Sequence, residues 1–85
     1  MRTIRNLRLV ARSVPGAEEK TSRRGVPYLL YRGPVHTVSC AWFGKTGWFR
    51  IFWPFMADPQ RRVDRETPEE AADAMIAAGA GKDPA

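Results

Sequence analysis

The feature that most constrains this chain is a pair of β-branched and aromatic runs, residues 35–43 (VHTVSCAWF) and 48–55 (WFRIFWPF), joined by Gly44-Lys45-Thr46-Gly47. Runs of this composition favour pleated, half-buried backbone, and a short glycine-flanked link between them calls for a tight hairpin with Lys45 and Thr46 at its tip. Facing Gly44 with Gly47 sets the register: Phe43 opposes Trp48, Trp42 opposes Phe49, Ala41 opposes Arg50, Cys40 opposes Ile51 and Ser39 opposes Phe52. Because successive side chains alternate between faces, one face collects Val38, Cys40, Trp42, Phe49, Ile51, Trp53 and Phe55. That face is the expected core. The other carries Thr37, Ser39, Ala41, Phe43, Trp48, Arg50 and Phe52, a mixture that a core would not choose.

The remaining elements are read around this hairpin. Residues 3–12 (TIRNLRLVAR) lack turn formers and favour a first strand, although Ile4, Leu7, Ala11 and Val14 also fit a helical stripe. Residues 13–25, with Pro15, Gly16 and Gly25 among charged groups, read as an exposed basic loop. A second strand spans 26–32 and stops at Gly33-Pro34, since proline has no donor for a ladder. Residues 56–66 form a polar connection in which Val63 seeds at most a brief strand. Thr67-Pro68-Glu69-Glu70 then starts a helix: Thr67 caps the Glu70 amide, Glu70 reaches back, and Pro68 suits the first helical position. Ala72, Met75, Ile76 and Gly79 supply the apolar stripe of a helix over 68–78, leaving 80–85 as a flexible tail. The expected fold is therefore α+β, one domain over 1–85, with a small antiparallel sheet of three to four strands packed against one C-terminal helix.

A chain of 85 residues has a small core. One cysteine and one histidine provide neither an internal disulfide nor a tetrahedral metal site, so no cofactor or metal is expected and packing must hold the fold. Apolar stretches are broken by Arg, Gly or Pro before membrane-spanning length, which points to a cytoplasmic protein without a membrane partner. Charge is distributed unevenly. Residues 1–50 hold ten basic and two acidic side chains, a net +8, whereas residues 51–85 hold four basic and seven acidic, a net −3. A field of that shape concentrates polyanions at one part of the surface.

Catalytic arrangements are not supported. A phosphate-binding loop at Gly44-Lys45-Thr46 would need glycine at position 39, where Ser39 stands, and a helix after it, where a strand follows. His36 and Cys40 on one strand lie about 13 Å apart, too far for a nucleophile and its base. Glu69, Glu70 and Asp73 occupy the first turns of a helix, where they favour its dipole. The chain is thus expected not to be an enzyme but to bind.

Basic residues interleaved with exposed aromatics neutralise phosphates and stack bases. Arg2, Arg5, Arg8, Arg23, Arg24, Lys45 and Arg50 would supply charge; Phe43, Trp48 and Phe52 would supply stacking. The expected partner is nucleic acid or a nucleoprotein complex. Tyr31-Arg32-Gly33, Trp48-Phe49-Arg50-Ile51 and Thr67-Pro68-Glu69-Glu70-Ala71-Ala72 resemble segments of the AP2-type and integrase arm-type DNA-binding domains, which implies three strands, a helix and DNA binding. The pattern departs from that family at Arg65, two residues before the helix cap, where the family has an apolar residue. The alternative is a protein-binding role, such as a phage or mobile-element inhibitor of the anti-CRISPR kind acting on a host nucleoprotein complex, with the same aromatics as anchors. A homodimer closed through the hairpin face or an edge strand is a further way to cover apolar surface.

Overall fold

The computed structural model describes residues 2–84. In chain order the elements are α1 (Arg2–Ala11), β1 (Glu18–Thr21), β2 (Pro27–Arg32), β3 (Thr37–Phe43), β4 (Trp48–Trp53), β5 (Arg61–Arg65) and α2 (Pro68–Gly79). The strands form one antiparallel sheet in sequential order β1-β2-β3-β4-β5, a meander, with both helices on one face. The α+β class is as expected, but the sheet has five strands and the C-terminal helix has an N-terminal companion.

The hairpin register is the one read from the glycine pair: Phe43 pairs with Trp48, Trp42 with Phe49, Ala41 with Arg50, Cys40 with Ile51 and Ser39 with Phe52. Its turn is closed by the Gly47 amide donating to the Phe43 carbonyl at 2.7 Å, with Gly47 at φ 72°, a left-handed conformation that glycine adopts without strain. Val38, Cys40, Phe49, Ile51 and Trp53 form the floor of the core, joined by Leu29 from β2. Phe55 departs from the expected set. The strand ends at Trp53 because Pro54 cannot donate to the ladder, and beyond it Phe55 swings to the other side, where its ring stacks on Tyr28 at 5.8 Å.

Residues 3–12 are helical rather than extended. As a strand, the segment would put Arg5 on the same face as Leu7 and Leu9; as a helix it buries Leu7 and Val10, packs Ala11 beside them and turns its arginines outward. Val14, just past its end, is also fully buried. The 13–25 loop is likewise partly ordered backbone. Glu18–Thr21 is an edge strand whose pairing partner is β2, and its EEKT sequence carries no apolar periodicity because one flank faces solvent. At the opposite edge, β5 grows around Val63, which faces Ile51.

Helix α2 begins as its sequence dictates, with the Thr67 hydroxyl accepting from the Glu70 amide at 3.2 Å and donating to the Glu70 carboxylate at 2.9 Å. Its alanines, with Met75, let it lie close on the sheet. At its far end the Gly79 carbonyl accepts from the Val35 and His36 amides at 2.8 and 3.1 Å. This docking needs two glycines: a Cβ on Gly33 would stand 2.4 Å from the Gly79 Cα, and one on Gly79 would stand 2.6 Å from the Tyr31 ring. The segment after α2, expected as a free tail, is held by the Lys82 amide donating to the Ala77 carbonyl at 2.9 Å and by Arg65 donating to the Pro84 carbonyl.

Candidate binding surface

Both helices lie against the Leu29–Cys40–Ile51 side of the sheet, so no helix covers the opposite side, where Leu30 and Ser39 are buried at the centre and exposure is confined to the ends. Its composition follows from the pairing. One row runs Glu18, Leu30, Ser39, Phe52, Arg62 across the strands; the next contains Ala41, Arg50 and Asp64, with the Lys20–Tyr28 pair on its other flank; the last is Phe43 beside Trp48. Phe43 and Trp48 are each 41% exposed, and Phe52 is half-buried. The aromatic pair forms a ledge at one end of the open face.

In a meander, alternate turns fall at the same end of the sheet. The β1–β2 turn, with Arg23 and Arg24, therefore sits at the same end as the β3–β4 turn with Lys45. All three side chains are in exposed residues, and among the described residues none of them makes an ion pair. Arg62, exposed beside Phe52 and close enough to act on the Asp64 carboxylate, makes no ion pair among the described residues. Arg23, Arg24 and Lys45 thus share the turn end of the sheet with Phe43 and Trp48, from segments far apart in sequence.

Arg50 behaves differently from its expected role. Its Nε and Nη2 donate to the two carboxylate oxygens of Asp64 at 2.8 and 3.1 Å, and its guanidinium lies 4.8 Å from the centre of the Phe43 ring. The hydrogen bonds from Arg50 hold the Asp64 carboxyl below its ordinary value, and the same bonds raise the guanidinium's. Arg50 is therefore neutralised, and its contribution is to brace the underside of the Phe43 ledge.

Between the β1–β2 turn and the β4–β5 connection lies a groove of about 830 Å³, lined by Arg23, Val26, Tyr28, Phe52, Phe55 and Met56 among others. Met56 stands 84% exposed at its rim. Tyr28 and Met56 were not singled out by sequence and Phe55 was expected on the core face: Tyr28 acquires its place only through the β2–β3 pairing, and Phe55 only through the turn after Pro54.

The expected cations of the N-terminal segment do not join this surface. Arg2, Arg5 and Arg8 project from α1, on the other side of the sheet, and Arg8 is tied to Glu19 at 3.0 Å. Arg12 shares their face and was passed over; its signal is the 5, 8, 12 spacing, which unites these residues on a helix and scatters them on a strand. Cys40 is fully buried, and burial pushes its thiol up to about 12, so it is neutral and a poor nucleophile. Among the described residues no three His, Cys, Asp or Glu side chains converge as metal ligands, and no helix is long and apolar enough to cross a membrane.

The five strands and two helices depart from the three-strand, one-helix plan that the integrase arm-type resemblance implies. Comparison with protein-family models, with curated proteins and with solved structures gave no match, so the function of this chain is argued from its own surface.

Proposed function

We propose that the open face of the sheet binds single-stranded nucleic acid, without catalysis. The carrying observation is the ledge of Phe43 and Trp48, exposed on the sheet face that carries no helix, at the same end as Arg23, Arg24 and Lys45, which make no ion pair among the described residues. Bases stack on such rings with about 1–3 kcal/mol each and little sequence preference, while the turn cations and Arg62 neutralise the backbone. Three or four phosphate contacts give log K a slope against log salt of roughly −2 to −3, at about −0.7 per contact on a single strand.

Anisotropy of a labelled oligothymidylate tests this. Micromolar or tighter binding at about 50 mM salt, weakened roughly tenfold or more by Trp48→Ala in a folded protein, is expected from the loss of one stacked base. Absence of binding at that salt removes the reading.

The groove beside Met56 favours a second reading, in which a protein partner seats an apolar anchor there and the cations select an acidic rim. An inhibitor of a host nucleoprotein complex, of the anti-CRISPR kind, would work this way, and so would a second copy of the chain. That reading expects nuclease-resistant recovery of one partner, abolished by Met56→Glu, together with weak oligonucleotide affinity. A concentration-dependent mass in solution identifies the self-associating case.

A further inference from the structure

Helix α1 carries a second charged surface that is independent of the open face. At about 100° per residue, Arg2, Arg5 and Arg8, with Arg12 one residue past the end of α1 and its amide donating to the Arg8 carbonyl at 3.1 Å, fall within an arc of about 120°, and all four are exposed. The stripe is opposite Leu7 and Val10, which are buried against the sheet and α2, so it points away from Phe43 and Trp48 across the body of the domain. Arg5, Arg8 and Arg12 surround, with Leu9, a shallow hollow of about 370 Å³. Arg2, Arg5 and Arg12 make no ion pair among the described residues.

Stability does not account for the stripe. The first turn of α1 holds no acidic residue and two arginines, although the positive end of a helix dipole disfavours cations and a capping carboxylate would be preferred. A bound phosphate would relieve that conflict. A lipid surface is a poor fit, because an interfacial helix inserts its apolar face, and the apolar face of α1 is already used in the core. A single strand is also a poor fit, since the stripe offers no aromatic platform.

We infer that α1 is a contact surface for the phosphate backbone of a nucleic-acid duplex, sequence-independent, engaged by Arg2, Arg5, Arg12 and, in part, Arg8. The neighbouring α2 presents Glu69, Glu70 and Asp73 to solvent, so the field changes sign across the helix layer and the duplex is confined to a strip along α1. The surface requires nothing of the open face.

The test uses the whole protein and a blunt duplex of about 20 base pairs, with Arg5→Gln/Arg12→Gln compared with Trp48→Ala. The expected result is duplex binding whose salt slope becomes shallower by about 1.8 in the double variant, at about 0.9 per lost phosphate contact, with oligothymidylate binding unchanged. Trp48→Ala is expected to leave duplex binding intact. Circular dichroism confirms that the double variant is folded, and Arg5→Lys/Arg12→Lys, which keeps the charge, should restore most of the slope. No duplex binding, an unchanged slope in the folded double variant, equal binding to anionic vesicles, or a salt-sensitive dimer formed by α1 on the acidic face of a second α2 would each overturn the inference. Loss of oligothymidylate binding alone strikes the open-face reading and leaves this one standing.

Discussion

The two faces of the central hairpin both carry aromatic side chains, and those side chains have opposite fates. Phe49 and Trp48 are adjacent, both aromatic and both cross-strand paired, yet Phe49 is 2% exposed under the helices and Trp48 is 41% exposed on the open side. The covered face is apolar throughout the centre of the sheet. The open face mixes aromatic rings with a buried Leu30 and Ser39 at its centre, an alanine and an internally paired arginine, and only Phe43 and Trp48 at its end are exposed rings. Such an edge holds the Phe43 and Trp48 rings in place without burying them, which suits a surface that exchanges partners more than one that only packs.

The comparison breaks most directly at these two neighbours. Phe49→Ala should cost about 3–5 kcal/mol, enough to unfold a small domain, whereas Trp48→Ala should cost no more than about 1 kcal/mol, the scale of a cross-strand pair. Urea denaturation followed by far-ultraviolet dichroism measures both, and similar large losses would place Trp48 in the core. The covered side also depends on close backbone approach. Gly33→Ala, which forces a Cβ against the Gly79 backbone, should cost about 1–3 kcal/mol by the same measurement.

Smaller effects sharpen the contrast. Thr67→Ala removes the cap of α2 and should cost about 1 kcal/mol. On the open face, Asp64→Asn should lower Tm at pH 7 by less than the cap deletion, because the Arg50–Asp64 pair is partly solvated. Its pH dependence identifies the cause. The Asp64 carboxyl titrates below its ordinary 3.8 when folded, so its stabilisation is complete above that value and fades as pH falls through the lower folded value. The Tm difference between the native chain and Asp64→Asn should therefore be constant near neutrality and close in acid.

Much of the covered side was legible because local signals agreed there. A glycine-flanked turn, period-two alternation and the Thr67 cap each act within a few residues, and they yielded the β3–β4 register and the start of α2. The segments misread were those where the local pattern was ambiguous or absent. Residues 3–12 satisfied both a strand and a helix, and only burial of Leu7 and Val10 against Leu29 and Val38 selects the helix. Edge strand β1 is charged at nearly every position, and its existence rests on hydrogen bonds to β2.

The candidate surface divides in the same way. That Phe43, Trp48 and Phe52 share a face follows from the hairpin alone, since side-chain alternation needs no distant contact. That Arg23 and Arg24 stand with Lys45, that Tyr28 meets Phe55, that Arg50 is consumed by Asp64, and that Arg2, Arg5, Arg8 and Arg12 lie on the far side all depend on strand order and helix placement. Short-range periodicity and capping are encoded within one turn of chain, so the amino-acid order alone determined them. Which charges become neighbours is a matter of long-range pairing, and that was decided only when the meander closed and both helices settled on one side of it.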